Sequence, residues 1–240
     1  MSSEDLFNGQ HGIFFSKGDV HIWETSLDAS KELTEKCFNS LSSQEKERST
    51  FFKFEKVQNN YVISQGILRF LLGMYLNIDA DKIKLGRHTK GKPFSIDNSN
   101  LRFNMSNSGR KVVYAFSMDE EIGIDLEYSR DLDDLNELIS KNFTSSEINY
   151  ITKIESEKKY RFFKFWTIKE SYLKAIGEGM RLPPDKLEFS VNNGKFKLQS
   201  INGLDDQDDW VFEDFNLGEN YIGTLVLKNS SAKIIQHAIM

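Results

Sequence analysis

Between residues 20 and 26 apolar and polar side chains alternate, Val20-His21-Ile22-Trp23-Glu24-Thr25-Ser26, the period-two signature of a strand with one buried face. The period then lengthens. Ser42-Ser43-Gln44-Glu45 has the spacing of a capping box, in which the serine accepts from the turn and the glutamate reaches back, and it predicts a helix running toward Phe54. From Asn59 to Leu76, the residues Tyr61, Ile63, Ile67, Leu68, Leu71, Leu72 and Tyr75 recur at helical steps and predict a longer helix. A loop rich in Lys and Gly follows at 86–93, then short strands near 101–105, 111–117 and 121–127.

The second half restarts in a similar way. Thr144-Ser145-Ser146-Glu147 is another capping box, and Phe162-Phe163-Lys164-Phe165 opens a helix that carries Glu170. The same tetrapeptide stands at Phe51-Phe52-Lys53-Phe54, 111 residues earlier, whereas the capping boxes are 102 apart. The two registers disagree, so the repeat supports two related halves only weakly. Gly177 suits a left-handed helix cap. Beyond it strands are predicted at 187–191, 195–201, 210–215 and 221–228, with the acidic run Asp205 to Asp209 as a hydrated turn.

Composition narrows the possibilities. The 240 residues, 39% hydrophobic and with only three prolines, can build one large domain or two small ones without a flexible tether. The single cysteine, Cys37, excludes an internal disulfide and fits a reducing compartment. Met1 to Gln10 contains Glu4 and Asp5 and lacks a basic-then-apolar layout, so no signal peptide is read, and no run is apolar enough to span a membrane. The expectation is a soluble, cytoplasmic protein. A net charge of −5 disfavours nucleic acid as a partner but leaves room for a small polyanion in a local basic pocket.

Chemistry concentrates in four segments. In Gly123-Ile124-Asp125-Leu126-Glu127, alternation sends Ile122, Ile124 and Leu126 to the core and Gly123, Asp125 and Glu127 to the other face together. Two carboxylates so close repel unless a cation lies between them, and Mg²⁺ suits that need; an edge strand with two hydrated acids would read the same. In Trp166-Thr167-Ile168-Lys169-Glu170-Ser171-Tyr172-Leu173-Lys174, the residues Phe162, Trp166, Glu170 and Lys174 form one line along a helix, beside an apolar stripe of Phe165, Ile168, Tyr172, Ala175 and Ile176. A surface ion pair would give the same spacing, although Trp166 on that line suggests the wall of a cleft. Arg87-His88-Thr89-Lys90-Gly91-Lys92-Pro93 suits a phosphate-gripping loop, or equally a hydrated basic turn. Phe103-Asn104-Met105-Ser106-Asn107-Ser108-Gly109 offers small polar donors between two strands. Brought together, three acids and a lysine would hold a divalent cation against a phosphate-bearing substrate.

In this order the motifs Gly-Lys-Pro, Phe-Asn-x-Ser-x-Ser-Gly, Gly-Ile-Asp-x-Glu and Trp-x-x-Lys-Glu-Ser-x-x-Lys, spanning residues 91–174, resemble the 4′-phosphopantetheinyl transferases of the larger, surfactin-synthetase-activating type. The resemblance implies an α+β fold of two pseudo-symmetric halves, 1–118 and 119–240, with the active cleft between them. It implies a monomer that moves 4′-phosphopantetheine from coenzyme A to a serine of an acyl or peptidyl carrier protein, releasing adenosine 3′,5′-bisphosphate. By the same resemblance Asp125, Glu127 and Glu170 surround Mg²⁺, Glu170 is the general base, and Lys174 sits on the coenzyme's phosphates. Arg87, Lys90, Gly91, Lys92 and Pro93 hold the nucleotide end with help from Arg48, and Ser106 and Asn107 line the same pocket. Two departures stand out. Asn107 replaces the family's usual histidine, so one cation is lost from the pocket. The acid and arginines that the family tends to carry on the first-half helix are missing near Val57-Gln58 and Gln65. A non-catalytic binder of carriers or coenzyme A, or a metal-dependent phosphoester hydrolase, would use the same residues.

Overall fold

The computed structural model describes residues 6, 13, 15, 16, 18–205, 209–228 and 231–239. Residues 206–208 of the acidic run, and Met1 to Gln10 apart from Leu6, lie outside the described residues. In chain order the first half comprises β1 (Asp19–Ser26), α1 (Lys31–Ser40), α2 (Ser43–Ser49), α3 (Glu55–Leu76), β2 (Leu85–Arg87), β3 (Pro93–Ser95), β4 (Leu101–Ser108) and β5 (Lys111–Met118). The second comprises β6 (Ile122–Tyr128), α4 (Leu135–Asn142), α5 (Ser145–Thr152), α6 (Lys158–Ala175), β7 (Leu187–Asn192), β8 (Lys195–Ile201), β9 (Leu204–Asp205), β10 (Val211–Phe215) and β11 (Tyr221–Leu227). A last strand, β12 (Lys233–Ala238), follows.

Each half follows one script: a strand, two short helices, a long helix, a hairpin, then two strands that return to the first. The sheet orders show the equivalence, β1-β5-β4 in one half and β6-β11-β10 in the other. β12 goes beyond the script. It pairs in parallel with β1, Asp19 opposite Lys233 through Glu24 opposite Ala238, so the end of the chain joins the first sheet.

Both capping boxes form, at Ser42–Glu45 and Thr144–Glu147. Each box glutamate then accepts from a buried cation on its half's long helix. Arg69 Nε donates to Glu45 Oε2 at 2.6 Å, and Arg69 Nη1 to Ala80 O and Ile83 O. Lys169 Nζ donates to Glu147 Oε2 at 2.6 Å, and to Pro184 O and Leu187 O. The structural repeat therefore follows the capping boxes. Phe51–Phe54 occupies the turn before α3, with Phe51 and Phe54 exposed, while Phe162–Phe165 is buried inside α6, so the tetrapeptide register is not structural. The helix expected to run toward Phe54 stops at Ser49, and α3 starts at Glu55, earlier than the periodicity suggested.

Among the described residues three apolar clusters form the core. One lies between α3 and the first sheet, one surrounds α6, and the third joins Val20, Ile22, Val113 and Ala115 of the first sheet to Ile122, Ile124, Leu126 and Leu225 of the second. The third cluster holds the halves together and buries the face of β6 that alternation assigned to the core. Its other face is left to α6. Among the described residues no helix is long and apolar enough to cross a membrane.

Candidate active site

β6 and α6 approach closely because Gly123 has no side chain. A Cβ there would lie 2.0 Å from Ser171 O and 2.5 Å from Ala175 N. This contact brings the polar face of β6 against the Glu170–Lys174 edge of the helix.

Asp125 is 4% exposed, which rules out the hydrated edge strand. Its Oδ1 accepts from Lys174 Nζ at 2.7 Å and from Ser106 Oγ at 2.7 Å. Lys174 also donates to Ser106 Oγ at 2.9 Å and Ile124 O at 3.3 Å. Glu127 Oε2 accepts from Ser108 Oγ at 2.8 Å. Two oxygens are left over: Asp125 Oδ2 and Glu170 Oε1 are buried without a hydrogen-bond partner. Burial raises the Glu170 carboxyl above the ordinary range; Asp125 and Glu127 push the same way and Lys174 opposes them. Burial likewise raises Glu127, with Asp125 adding to it and the Ser108 hydrogen bond opposing.

Strand β4 supplies the other wall. Small polar residues expected in a turn belong to the strand as far as Ser108, and the turn follows at Gly109, with φ +60°. Asn104, Ser106 and Ser108 alternate onto one face and meet β6 through side chains: Asn104 Oδ1 accepts from Ile124 N, and Ser108 Oγ from Tyr128 N, both at 3.0 Å. They do for β6 what a neighbouring backbone would, and leave Asp125 and Glu127 each held by one serine. Asn107 is exposed, on the face of β4 opposite Ser106.

The basic residues divide. Arg48 is exposed and lies over the Tyr61 ring, 5.9 Å from its centroid. Arg87, also exposed, donates to Gly91 O at 3.0 Å and lies close enough to Tyr61 to act on its hydroxyl, as Arg48 does. Tyr61, one of the residues at helical spacing, packs against the first apolar cluster and also borders the cationic surface formed by Arg48 and Arg87. Gly91 has φ +97° and open space around it, and Pro93 starts β3. Lys90 pairs with Glu178 just past α6. Lys92 departs from the expected phosphate grip: its ammonium is spent on Glu121, Ile122 O and Ala175 O, because the turn at Gly91 aims it at the join between β6 and α6 rather than outward.

Among the described residues no three His, Cys, Asp or Glu side chains stand close enough to cage a metal as they are, and Lys174 is the cation that sits on Asp125. The donors nevertheless suit a hard divalent ion. They are all oxygen, they outnumber the local positive charge, and two of the carboxylates keep an uncommitted buried oxygen.

Residues 24–119 match the family model for the 4′-phosphopantetheinyl transferase N-terminal domain, and residues 121–226 match that of the 4′-phosphopantetheinyl transferase superfamily. The chain is 36% identical over 166 residues to 4′-phosphopantetheinyl transferase HetI of Nostoc sp., covering 68% of this chain and 70% of that one. It is 32% identical to 4′-phosphopantetheinyl transferase gsp of Aneurinibacillus migulanus, over 71% of this chain and 72% of that one. It is 29% identical to the L-aminoadipate-semialdehyde dehydrogenase-phosphopantetheinyl transferase of Xenopus laevis, over 77% and 67%. With both halves matched in sequence and folded on the same script, the protein belongs to the 4′-phosphopantetheinyl transferase superfamily.

Proposed function

We propose that this chain transfers 4′-phosphopantetheine from coenzyme A to a serine hydroxyl of an apo acyl or peptidyl carrier protein. The serine oxygen forms a bond to the β-phosphorus, the bond from that phosphorus to the bridging oxygen breaks, and adenosine 3′,5′-bisphosphate leaves. The observation that carries this reading is the gathering of Asp125, Glu127, Glu170 and Lys174 at one join, with Asp125 Oδ2 and Glu170 Oε1 buried and uncommitted.

Glu170 is suited to take the serine proton. A neutral hydroxyl is a poor nucleophile, and a carboxylate whose pKa is raised by burial and like charge is a stronger base than an ordinary one. Lys174 keeps an ammonium beside the developing charge on the leaving phosphate, held by Ser106 and Asp125. Asp125, Glu127 and Glu170 would hold Mg²⁺, which supplies positive charge to the pyrophosphate oxygens when bound. Arg48, Arg87, Lys90, the Gly91 backbone and Asn107 would hold the nucleotide end, with Lys90 leaving Glu178 to do so.

Because both halves of the site come from one chain, a monomer is sufficient. The cytoplasmic setting rests on the single cysteine, Cys37, which is free and buried.

The test is to incubate an apo carrier protein with coenzyme A, Mg²⁺ and this protein and to weigh the carrier intact. Addition of one phosphopantetheine group is expected. Coenzyme binding with no added mass would make the chain a binder only. Release of pantetheine phosphate to water with no carrier present would make it a hydrolase.

A further inference from the structure

The last turn of α6 has its carbonyls met one after another. Tyr172 O accepts from Ile176 N at 3.0 Å, Leu173 O from Glu178 N at 3.0 Å and Lys174 O from Gly177 N at 3.3 Å. Gly177 adopts φ +73° to close this turn. Ala175 O finds its partner in the other half of the molecule, in Lys92 Nζ at 2.7 Å. The same ammonium donates to Ile122 O at 3.2 Å, where β6 begins, and to Glu121 Oε2 at 3.0 Å. Three protons meet three oxygens, and the side chain is 12% exposed. Burial pushes this ammonium below its ordinary pKa and Glu121 pulls the other way, as expected for a lysine kept for its place in the packing.

Ala175 directly follows Lys174, and Ile122 lies two residues before Ile124, whose carbonyl Lys174 reaches. The join between strand and helix is therefore fastened twice, by Lys174 from within and by Lys92 from the neighbouring half. Without Lys92 the Ala175 and Ile122 carbonyls lose its ammonium, and the turn that carries Lys174 keeps the contact of Lys174 with Ser106 and the pair of Lys90 with Glu178 as its ties to the first half.

We propose that Lys92 is a positioning residue: it sets the spacing between β6 and the C-terminal turn of α6, and through it the placement of Lys174 against Asp125. The kinetic part of this proposal rests on the transfer reaction proposed above, and the structural part does not.

Lys92→Met and Lys92→Arg are compared with the parent in three measurements: hydrogen exchange of amides 173–178, the Kd for coenzyme A, and kcat for transfer to an apo carrier. In Lys92→Met, exchange in that segment should quicken about tenfold and kcat should fall about ten- to a hundredfold, with Kd within about twofold of the parent. Lys92→Arg should recover part of both losses, since a planar fork cannot fill three ammonium positions. A Kd about tenfold weaker, with exchange and kcat unmoved, would mean that the ammonium serves phosphate, and the proposal would fail. It would fail equally if none of the three changed. Should Lys92→Met not fold, Lys92→Arg decides alone: arginine is an able phosphate ligand, so parent-like exchange and kcat in that variant would overturn the proposal. If the parent itself transfers nothing, the exchange result still decides the role of Lys92, and the reaction fails separately.

Discussion

Replacing Lys169 by Met removes an ammonium that is 0% exposed from a glutamate that is also 0% exposed. Four oxygens surround it: Glu147 Oε2 at 2.6 Å, Pro184 O at 2.8 Å, Leu187 O at 2.9 Å and Asn142 O at 3.3 Å. Methionine has similar length and fills the volume, so the cost is electrostatic. Removing one partner of a buried ion pair typically costs about 3–5 kcal/mol, because the other charge is left uncompensated. Glu147 keeps two backbone donors, Thr144 N and Phe189 N, each at 2.9 Å, which places the expected loss near the lower end, about 3 kcal/mol. For a chain of this size that corresponds to a fall in Tm of roughly 6–12 °C. Burial pushes the ammonium down and the carboxyl up, with the mutual attraction opposing both, so neither ion is comfortable alone. The double variant Lys169→Met/Glu147→Gln should therefore be more stable than the sum of the single losses predicts, with a coupling of about 2 kcal/mol in urea denaturation. Additive single losses, or a Tm within about 2 °C of the parent for Lys169→Met, would refute the view that this pair locks α6 against α5.

Three further outcomes are expected. Asp125→Asn and Glu170→Gln should each lower transfer at least about a hundredfold while Tm moves by only a few degrees, since relief of like-charge repulsion offsets the lost attraction to Lys174; a variant that modifies an apo carrier at the parent rate removes that residue from the site. Gly123→Ala should cost at least about 1–3 kcal/mol in denaturation and lower kcat as well, because its Cβ would press on the Ser171 carbonyl; parent-like stability would show that β6 and α6 do not need this approach. Burial lowers His21 to about 4, with His237 adding to the effect and Asp19 opposing it, so His21 gives stability that is complete above its unfolded pKa and lost as pH falls from about 6.5 toward 4, about 3 kcal/mol in all. Glu127 and Glu170, both raised, carry the opposite sign and lose their contribution as pH rises, so the pH dependence is measured against His21→Phe, which should flatten the acid limb; an unchanged limb would exclude His21 as its source.

Period-two alternation was enough to place Ile122, Ile124 and Leu126 in the core and to put Asp125 and Glu127 on the other face, because a strand allows only two faces. The capping boxes were legible for the same reason: their chemistry is local, within four residues. What joins them to the long helices was not legible. Arg69 and Lys169 lie 24 and 22 residues from their glutamates, and nothing in a helical pattern says that a cation on the apolar side has a buried partner waiting. Asn104 and Ser108 looked like turn residues, since small polar side chains are common there and the pattern does not reveal that β6 lies alongside. Lys92 and Lys90 looked alike in a basic loop, and only the turn at Gly91 decides which points inward. β12 was missed because Lys233 to Ala238 is short and its partner β1 is at the other end of the chain.

That last pairing has a consequence for how the protein is made. β1 and β5 can zip together once residue 118 has left the ribosome, yet the outer edge of β1 waits for residues 233–238, about 115 positions later. At about 5–20 residues per second the nascent sheet keeps an open rim for roughly 6–23 s. Such a rim invites foreign strands. Nascent chains stalled before residue 233 should therefore be the species that chaperones retain, and a C-terminal truncation should lower the soluble yield more than the few hydrogen bonds of β12 would suggest.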